Sequence, residues 1–424
     1  MTDSNTCKSE TSDFQQFSRR DCWRAAAGCA AAGTLVGTGG VSKELEAAVE
    51  AEQDKTTIRD VKFYNLEATL NDPFAWPNGY AESRTATAIR IETDQGIVGW
   101  GHGWGFVKDL GIVKEVILNQ SPFDTWRLSQ QLAAKWVTTD LRGAVDIALW
   151  DIKGKVLGMP IHQLLGGALR DRVFAYACAG YYGHPKDSLD WLKNNTEPIA
   201  REGFRYFKMK AGIKDFDYEK QRMDIVQNTM GKDCRIAVDS TTMLTVESAM
   251  ILGRELEARN IWWFEDPLPA TNIEGYRRLS QELKIPICAH DPACRDLKQF
   301  VKSELVRQVN PWFGHEGGFS YCRQLIAITS LHGVVLRPNC WSTHLQMAAA
   351  LHLLALIPSR SESPDQDAPV LEFDRSDNPL REDSILTQPL RLESDGTVKV
   401  PSGPGLGVDV DENKLKKYAV SVVS

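Results

Sequence analysis

FRYFKMKAG, residues 204–212, begins as an apolar strand and ends on two lysines, Lys208 and Lys210. Side chains alternate across a strand, so both ammonium groups project to the same side. Like charges held that close destabilise a fold unless an anion or a chemical task compensates. Outward from this stretch, short apolar runs recur: VFAYACAGYY before it, then CRIAVDS, IWWFEDP, IPICAHD, LVRQVNP, GVVLRPNC and APVLEF after it. Amphipathic segments such as DYEKQRMDIVQNTM and VESAMILGRELEARN separate most of them. Eight strands alternating with helices over about 200 residues predict a parallel sheet closed into a barrel.

Barrel active sites form at the C-terminal ends of the strands. There Asp239 closes the third strand, Glu265 the fourth and Asp291 the fifth, at equal spacings of 26 residues. One aspartate at a strand end is commonly a helix cap, and Asp239 ahead of Ser-Thr-Thr is open to that reading. Three carboxylates at one register repel each other unless a cation sits among them. Oxygen-only donors of this charge suit Mg²⁺, which also leaves positions for substrate oxygens. A carboxylate substrate held there needs positive neighbours. That accounts for the lysines, with Lys210 as a base on the carbon beside the carboxylate and Lys208 stabilising the enolate charge.

Before the barrel, IRDVKFYNLEATL and RTATAIRIETDQGIVGWG are strand-like, the second a hairpin about TDQG. NDPFAWPNGYAES between them predicts a loop whose aromatics face either a ligand or plain solvent. Residues 105–170 turn helical, with 3.6-residue spacing in LRGAVDIALWDIKGKVLG. The tail from Gln388 predicts a strand pair and a short helix returning to the N-terminal part. The expected organisation is a leader (1–55), a cap (56–171), a barrel (172–388) and a returning tail (389–424).

The 424 residues carry a net charge of −7 and no long basic block, which excludes a nucleic-acid binder. Nine cysteines show no CxxC spacing, and Cys178, Cys234, Cys288 and Cys340 in apolar runs predict buried thiols rather than disulfides. SRRDCWR at 18–24 precedes an uncharged Ala/Gly run, the pattern of a twin-arginine export signal; a plain N-terminal extension is the alternative. Leu and Phe are too few in that run for a membrane span.

DIALWDIKGKVLGMPIHQLLGG (146–167) and the order KMK, VDS, FEDP, IPICAHD, Gly317–Gly318 and SGPGLGVDV resemble the enolase superfamily, specifically its mandelate racemase subgroup. The resemblance spans nearly all of 58–415 and is closest in kind to acid-sugar dehydratases. It implies a (β/α)₇β TIM-like barrel with an α+β capping domain built from both termini. It implies Mg²⁺ on Asp239, Glu265 and Asp291, lysines flanking the substrate, and assembly as a homo-oligomer. The segments 72–83 and GHGWGFVKD would select the substrate, and Glu372 in VLEFD would hydrogen-bond its carboxylate.

Departures from the pattern matter equally. The subgroup's second base is an Asp–His pair; here Trp312 and Asn339 stand at those positions, and neither carries a proton at neutral pH. Trp312 also replaces the sixth-strand lysine of the muconate-cycloisomerase pattern. The third metal ligand is Asp291 rather than the usual glutamate. His290, His315, His344 and Tyr182 lie near strand ends as replacements. His315, beside Glu316, is carried forward as catalytic, His344 is expected to pack in a helix, and His290 to point away from Asp291. Trp312, Asn339, Glu372 and Tyr182 are expected at the substrate. The expected activity is Mg²⁺-dependent proton abstraction alpha to a carboxylate, dehydrating an acid sugar with Lys210 serving one face. A racemase or epimerase with an unorthodox acid, and a carboxylate-binding protein without turnover, are the alternatives.

Overall fold

A computed structural model describes residues 56–104, 107, 110–290, 297–314, 317–359 and 368–424. The leader with its paired arginines lies outside them, as do Asp291 and His315. The chain opens with β1 (Ile58–Trp76), β2 (Gly79–Thr93) and β3 (Val98–Gly103), an antiparallel meander. The turn at 93–96 closes β2 onto β3 as the sequence predicts, with Gly96 at φ +77°.

The stretch expected to be a loop, 72–83, is instead the tip of the β1–β2 hairpin. Pro77 and Asn78 form a two-residue turn between the paired Trp76 and Gly79. The ladder breaks between Thr69 and Phe74, so Pro73 falls where no ladder donor is required. Prolines and polar residues concealed a strand that tolerates them at a bulge and a turn.

The barrel comprises β4 (Arg172–Cys178), β6 (Tyr206–Lys210), β7 (Arg235–Asp239), β8 (Phe264–Glu265), β9 (Ile287–Ala289), β10 (Gln308–Val309), β11 (Val335–Leu336) and β12 (Val370–Asp374). All eight pair in parallel along the order β11-β10-β9-β8-β7-β6-β4-β12. They are the eight runs picked out in the sequence. Short β5 (Tyr182–Gly183) pairs with Ala75 and Phe74 of β1 and ties the hairpin tip to the barrel.

Strand parity sorts the barrel residues. Phe207, Met209, Ile236, Val238, Phe264 and Ala289 face the helices in the main core. The alternate positions, among them Tyr176, Tyr206, Ala237, Trp263 and Cys288, form a separate inner cluster. Lys208, Lys210, Asp239 and Glu265 continue that inner parity, so the alternation that buries the core also aims these charges inward.

The tail divides between the sheets. β13 (Thr397–Lys399) pairs with β4 of the barrel, whereas β14 (Ala419–Val423) pairs with β1 after the helix Glu412–Tyr418. Only this second part follows the expected return to the N-terminal sheet.

The helix Thr139–Leu157 is the seam between meander and barrel. Thr138 caps its start by accepting from the Leu141 N–H, and Gly158 ends it in the left-handed region. Its buried Asp146 accepts hydrogen bonds from the Ser320 N–H (3.0 Å) and hydroxyl. The helix Gly318–His332 begins on glycines without a side-chain cap, so Asp146 supplies that cap from a neighbouring helix. Asp151 accepts from Trp100 N–H (2.9 Å), Leu406 N–H (2.8 Å) and Lys155 Nζ (2.7 Å), joining β3 to the tail. Gly405 has φ +68°, and a Cβ there would lie 2.1 Å from Asp151 Oδ1. The DIALWDIKGK and SGPGLG motifs are therefore two halves of one joint.

Candidate active site

At the C-terminal ends of β6, β7 and β8, Lys210, Asp239 and Glu265 stand side by side in register. Lys210 Nζ donates to Asp239 Oδ2 at 2.5 Å. Lys208 Nζ donates to Glu265 Oε1 (2.8 Å) and Glu372 Oε2 (2.9 Å), and lies 3.7 Å from Asp239. Tyr176 donates its hydroxyl to Glu372 at 2.6 Å, and the Cys340 N–H reaches the other Glu372 oxygen. All these side chains are buried, so each charge must find its partner inside the barrel.

Burial disfavours the Lys208 ammonium, but Glu265 and Glu372 outweigh it and hold its pKa well above the usual lysine range. Lys210 is likewise pushed down by burial and lifted more by Asp239. Burial raises Asp239, yet Lys210 and Lys208 bring it down to about 2. The two lysines differ in anchoring: Lys208 is held by two carboxylates at bonding distance, Lys210 by one.

The backbone around the acids is pinned. Thr241 N–H donates to Asp239 Oδ1 at 2.8 Å, and Thr241, Thr242 and Asp266 all have positive φ (44°, 66° and 42°). Non-glycine residues in that region concentrate at functional sites. Glu219 accepts from the N–H groups of Gly212, Ile213 and Lys214, fixing the loop that leaves Lys210. Glu265 Oε2 accepts from Trp263 Nε1 and Asn310 Nδ2, both at 2.9 Å.

Above this floor opens a cavity of about 230 Å³. Lys208, Lys210, Asp239 and Glu372 line its floor. Trp76, Trp104, Tyr181, Trp312 and Trp341 line its walls, with Asn78, Thr241, His290 and Asn339 among them. Trp312 and Asn339, expected at the substrate, thus both face the cavity and pair as a parallel bridge beyond β10 and β11. Asn339 is also within 3.4 Å of Glu265 and of the Tyr176 hydroxyl.

Tyr182 departs from expectation. Its hydroxyl donates to Glu219 at 2.6 Å and its ring packs 3.8 Å from the Arg222 guanidinium, away from the cavity. Pairing of β5 with β1 turns Tyr182 outward, and Tyr181 takes the cavity position. His290, one of the residues expected near the strand ends, lines the cavity; its orientation relative to Asp291 lies outside the described residues. Cys288 is an inner residue of β9, and His290 lies two positions on, so parity counted from the core aims it inward. Its Nδ1 contacts Asp266 Oδ2 at 3.0 Å and its N–H donates to Asp266 Oδ1 at 2.7 Å. Burial lowers its pKa, but the Asp266 contact raises it more. His344 is buried at the start of its helix with Nδ1 2.9 Å from Ser384 Oγ, the packing role expected of it. Cys178, Cys288 and Cys340 are free and buried, and Cys234 is free and half-buried.

Among the described residues, no three His, Cys, Asp or Glu side chains are gathered as a metal site. Asp239 and Glu265 are two of the three expected ligands, and Asp291 lies outside the described residues. Their chemistry fits a hard divalent cation: both donors are carboxylate oxygens, side by side and buried, with ammonium groups answering their charge.

The sequence matches two family models, "Mandelate racemase / muconate lactonizing enzyme, N-terminal domain" over 58–166 and "Enolase C-terminal domain-like" over 191–414. It is 30% identical over 377 residues to D-galactarolactone cycloisomerase of Agrobacterium fabrum, covering 85% of this chain and 98% of that protein. It is 29% identical to arabinonate dehydratase of Saccharolobus solfataricus, covering 85% and 99%. Its fold is similar to the crystal structure of 3,6-anhydro-D-galactonate cycloisomerase from Zobellia galactanivorans, with a TM-score of 0.73, 27% identity and coverage of 86% and 100%. The chain belongs to the enolase superfamily, in its mandelate racemase subgroup.

Proposed function

We propose that this protein is an acid-sugar lyase that removes the proton alpha to a carboxylate and expels a beta hydroxyl as water. The observation that carries the reading is the paired lysines of β6, buried at the floor of the cavity among Asp239, Glu265 and Glu372. The names of its relatives, an acid-sugar dehydratase and a sugar-lactone cycloisomerase, support the same substrate class.

The different anchoring of the lysines divides the work. Lys208 is fixed as an ammonium between Glu265 and Glu372, a permanent positive charge beside a developing enolate. Lys210, held by one carboxylate, is the base in its neutral amine form; a cation taken up by Asp239 would weaken that ion pair and favour this form. It takes the alpha proton, the freed electron pair forms the carbon–carbon double bond, and the beta C–O bond breaks. The same Lys210 proton leaves with the hydroxide as water, and the enol product tautomerises to a 2-keto acid. One base on one face suffices, which accommodates Trp312 and Asn339 where a second proton carrier would stand.

Mg²⁺ would be held by Asp239 and Glu265 together with Asp291; when bound it supplies positive charge opposite the substrate carboxylate. Incubating the protein with Mg²⁺ and a panel of hexonates and hexarates tests the reading. Formation of 2-keto acids, lost in Lys210→Ala, is the expected result. Recovery of inverted substrate with solvent deuterium would instead establish an epimerase. Acid-sugar binding without alpha-proton exchange would establish a binding protein.

Export is also proposed, from the paired arginines Arg19 and Arg20 ahead of the uncharged run. Replacing both with lysine should retain the protein in the cytoplasm; unchanged localisation overturns the proposal.

A further inference from the structure

The walls of the cavity suit a closed-ring acid sugar better than an open chain. Trp341 stands at their centre, with Trp76 at 5.4 Å, Trp104 at 5.7 Å in a stacked arrangement, and Tyr181 and Trp312 at 6.3 and 6.4 Å between ring centroids. Trp104 and Trp312 meet at 4.4 Å. Two of these rings come from the meander and three from the barrel side, so both parts of the molecule contribute to one aromatic surface.

That surface is held firmly. The Arg84 guanidinium lies 3.6 Å from the Trp341 ring, donates to the Trp341 carbonyl at 2.6 Å, and pairs with buried Asp374 at 3.0 Å. A buried ion pair placed behind one indole fixes its plane. The four tryptophans remain half-buried, leaving ring faces toward the cavity.

Rigid aromatic faces bind C–H surface and reject hydroxyls that lose water without gaining a partner. An extended acid sugar turns hydroxyls to both sides of its chain, and some must press on indole. A closed ring collects its C–H groups on one face and its hydroxyls on the rim. The polar residues fit that division: Asn78, Thr241 and His290 stand among the aromatics, and His290 Nε2 has no hydrogen-bond partner among the described residues. The cavity is also smaller than the roughly 300 Å³ at which drug-sized sites begin. That is room for one sugar unit.

Resting on the lyase reading above, we propose that the substrate is a sugar acid locked as a pyranose, its carboxylate at the lysine floor and its C–H face on Trp341 and its neighbours. Lys210 then removes the proton from the ring carbon bearing the carboxylate. The C–O bond on the adjacent ring carbon breaks, a double bond forms within the ring, and the hydroxide departs as water with the Lys210 proton. The product is an unsaturated ring acid. No oxidant or reductant is involved.

The test uses the full chain with Mg²⁺ and two matched sets of probes. Methyl galactopyranosiduronate and methyl glucopyranosiduronate cannot open; galactonate and gluconate cannot close to a pyranose. Turnover is read from the absorbance of the conjugated double bond or from 2-keto acid, and binding from tryptophan fluorescence. The expected result is at least tenfold higher kcat/KM for the locked rings. Trp341→Ala should then raise KM tenfold or more while kcat changes less than threefold. Trp76→Ala, a change at the hairpin tip, should act in the same direction and guards against misfolding of the first variant. Equal or better turnover of the open-chain acids overturns this inference and leaves the lyase reading standing. Ring binding without turnover or alpha-proton exchange supports the aromatic subsite and overturns the lyase reading. No fluorescence change with either pyranoside, or tighter binding of mandelate than of both, overturns the subsite.

Discussion

The floor and the walls of the cavity are built by opposite means. The floor is charge against charge: two lysines and three carboxylates, buried and joined by bonds of 2.5 to 2.9 Å. The walls are aromatic rings in contact across 4.4 to 6.4 Å, with the buried Arg84 guanidinium against Trp341. Strand register positions the floor, since Lys210, Asp239 and Glu265 are neighbours in adjacent ladders. The walls are drawn from a hairpin tip, the residue after β3 and segments beyond β10 and β11, which no single ladder aligns. On the proposed reading, reaction chemistry falls to the rigid strands and substrate choice to the segments joined above them.

The largest expected effects separate members of the floor from each other. Lys210→Ala should lower kcat by roughly 10²–10⁴-fold with little change in folding, because Asp239 loses only one of its two ammonium neighbours. Thermal unfolding and alpha-proton exchange measured on the same sample check this, and retained exchange would remove Lys210 from the role of base. Lys208→Met should fail differently. It leaves Glu265 and Glu372 buried without their shared ammonium, costing about 3–5 kcal/mol of stability as well as activity. If denaturant unfolding of Lys208→Met matched that of Lys210→Ala, the contrast in anchoring would carry no energy.

Between floor and walls runs the seam that keeps them aligned, and its effects should be smaller and indirect. Asp151→Ala removes the acceptor for Trp100, Leu406 and Lys155 at once. The expected cost is about 3 kcal/mol, read from urea midpoints. KM should rise more than kcat falls, because the wall residues of the meander shift relative to the floor. Proportionate loss of both constants would mean that seam and chemistry are coupled more tightly than the geometry implies.

The sequence disclosed these regions unequally. Eight strands, inward charges and equal 26-residue steps were all readable, because strand alternation is a local rule that the barrel repeats. The place of His290 at the cavity follows from parity with the inner residue Cys288, two positions earlier on β9. Tyr182 was misjudged because pairing with a strand more than a hundred residues away sets its face. The aromatic wall was only half visible. Trp76 fell in the segment marked as substrate-selecting and Trp312 in the motif comparison, but their meeting at Trp341 depends on contacts between distant segments. Asp146 and Asp151 stood inside the most specific motif, yet only the packed helix shows that they cap and brace other elements.

The seam also titrates, and two of its groups, Asp146 and His352, contribute with opposite sign. Burial raises Asp146 to about 6 despite its bonds from Ser320, so the folded protein binds that proton more readily than the unfolded chain. This contribution strengthens the fold as pH falls through about 6. On the barrel side, His352 donates Nε2–H to the Leu406 carbonyl and its Nδ1 accepts from His162 at 2.9 Å. Burial lowers His352 to about 3, so the unfolded chain takes up a proton below about 6.5 that the folded protein refuses. That contribution weakens the fold as pH falls over the same interval. The slopes of these two groups oppose each other between about pH 7 and 5. Asp146→Asn keeps an oxygen for Ser320 and removes the carboxylate titration, so its stability should fall relative to wild type as the solution is acidified. Urea midpoints of both proteins at several pH values would show the gap opening below about pH 6. A gap that stays constant, or closes, would mean that Asp146 remains ionised inside the seam, with Ser320 and nearby Lys153 carrying its charge.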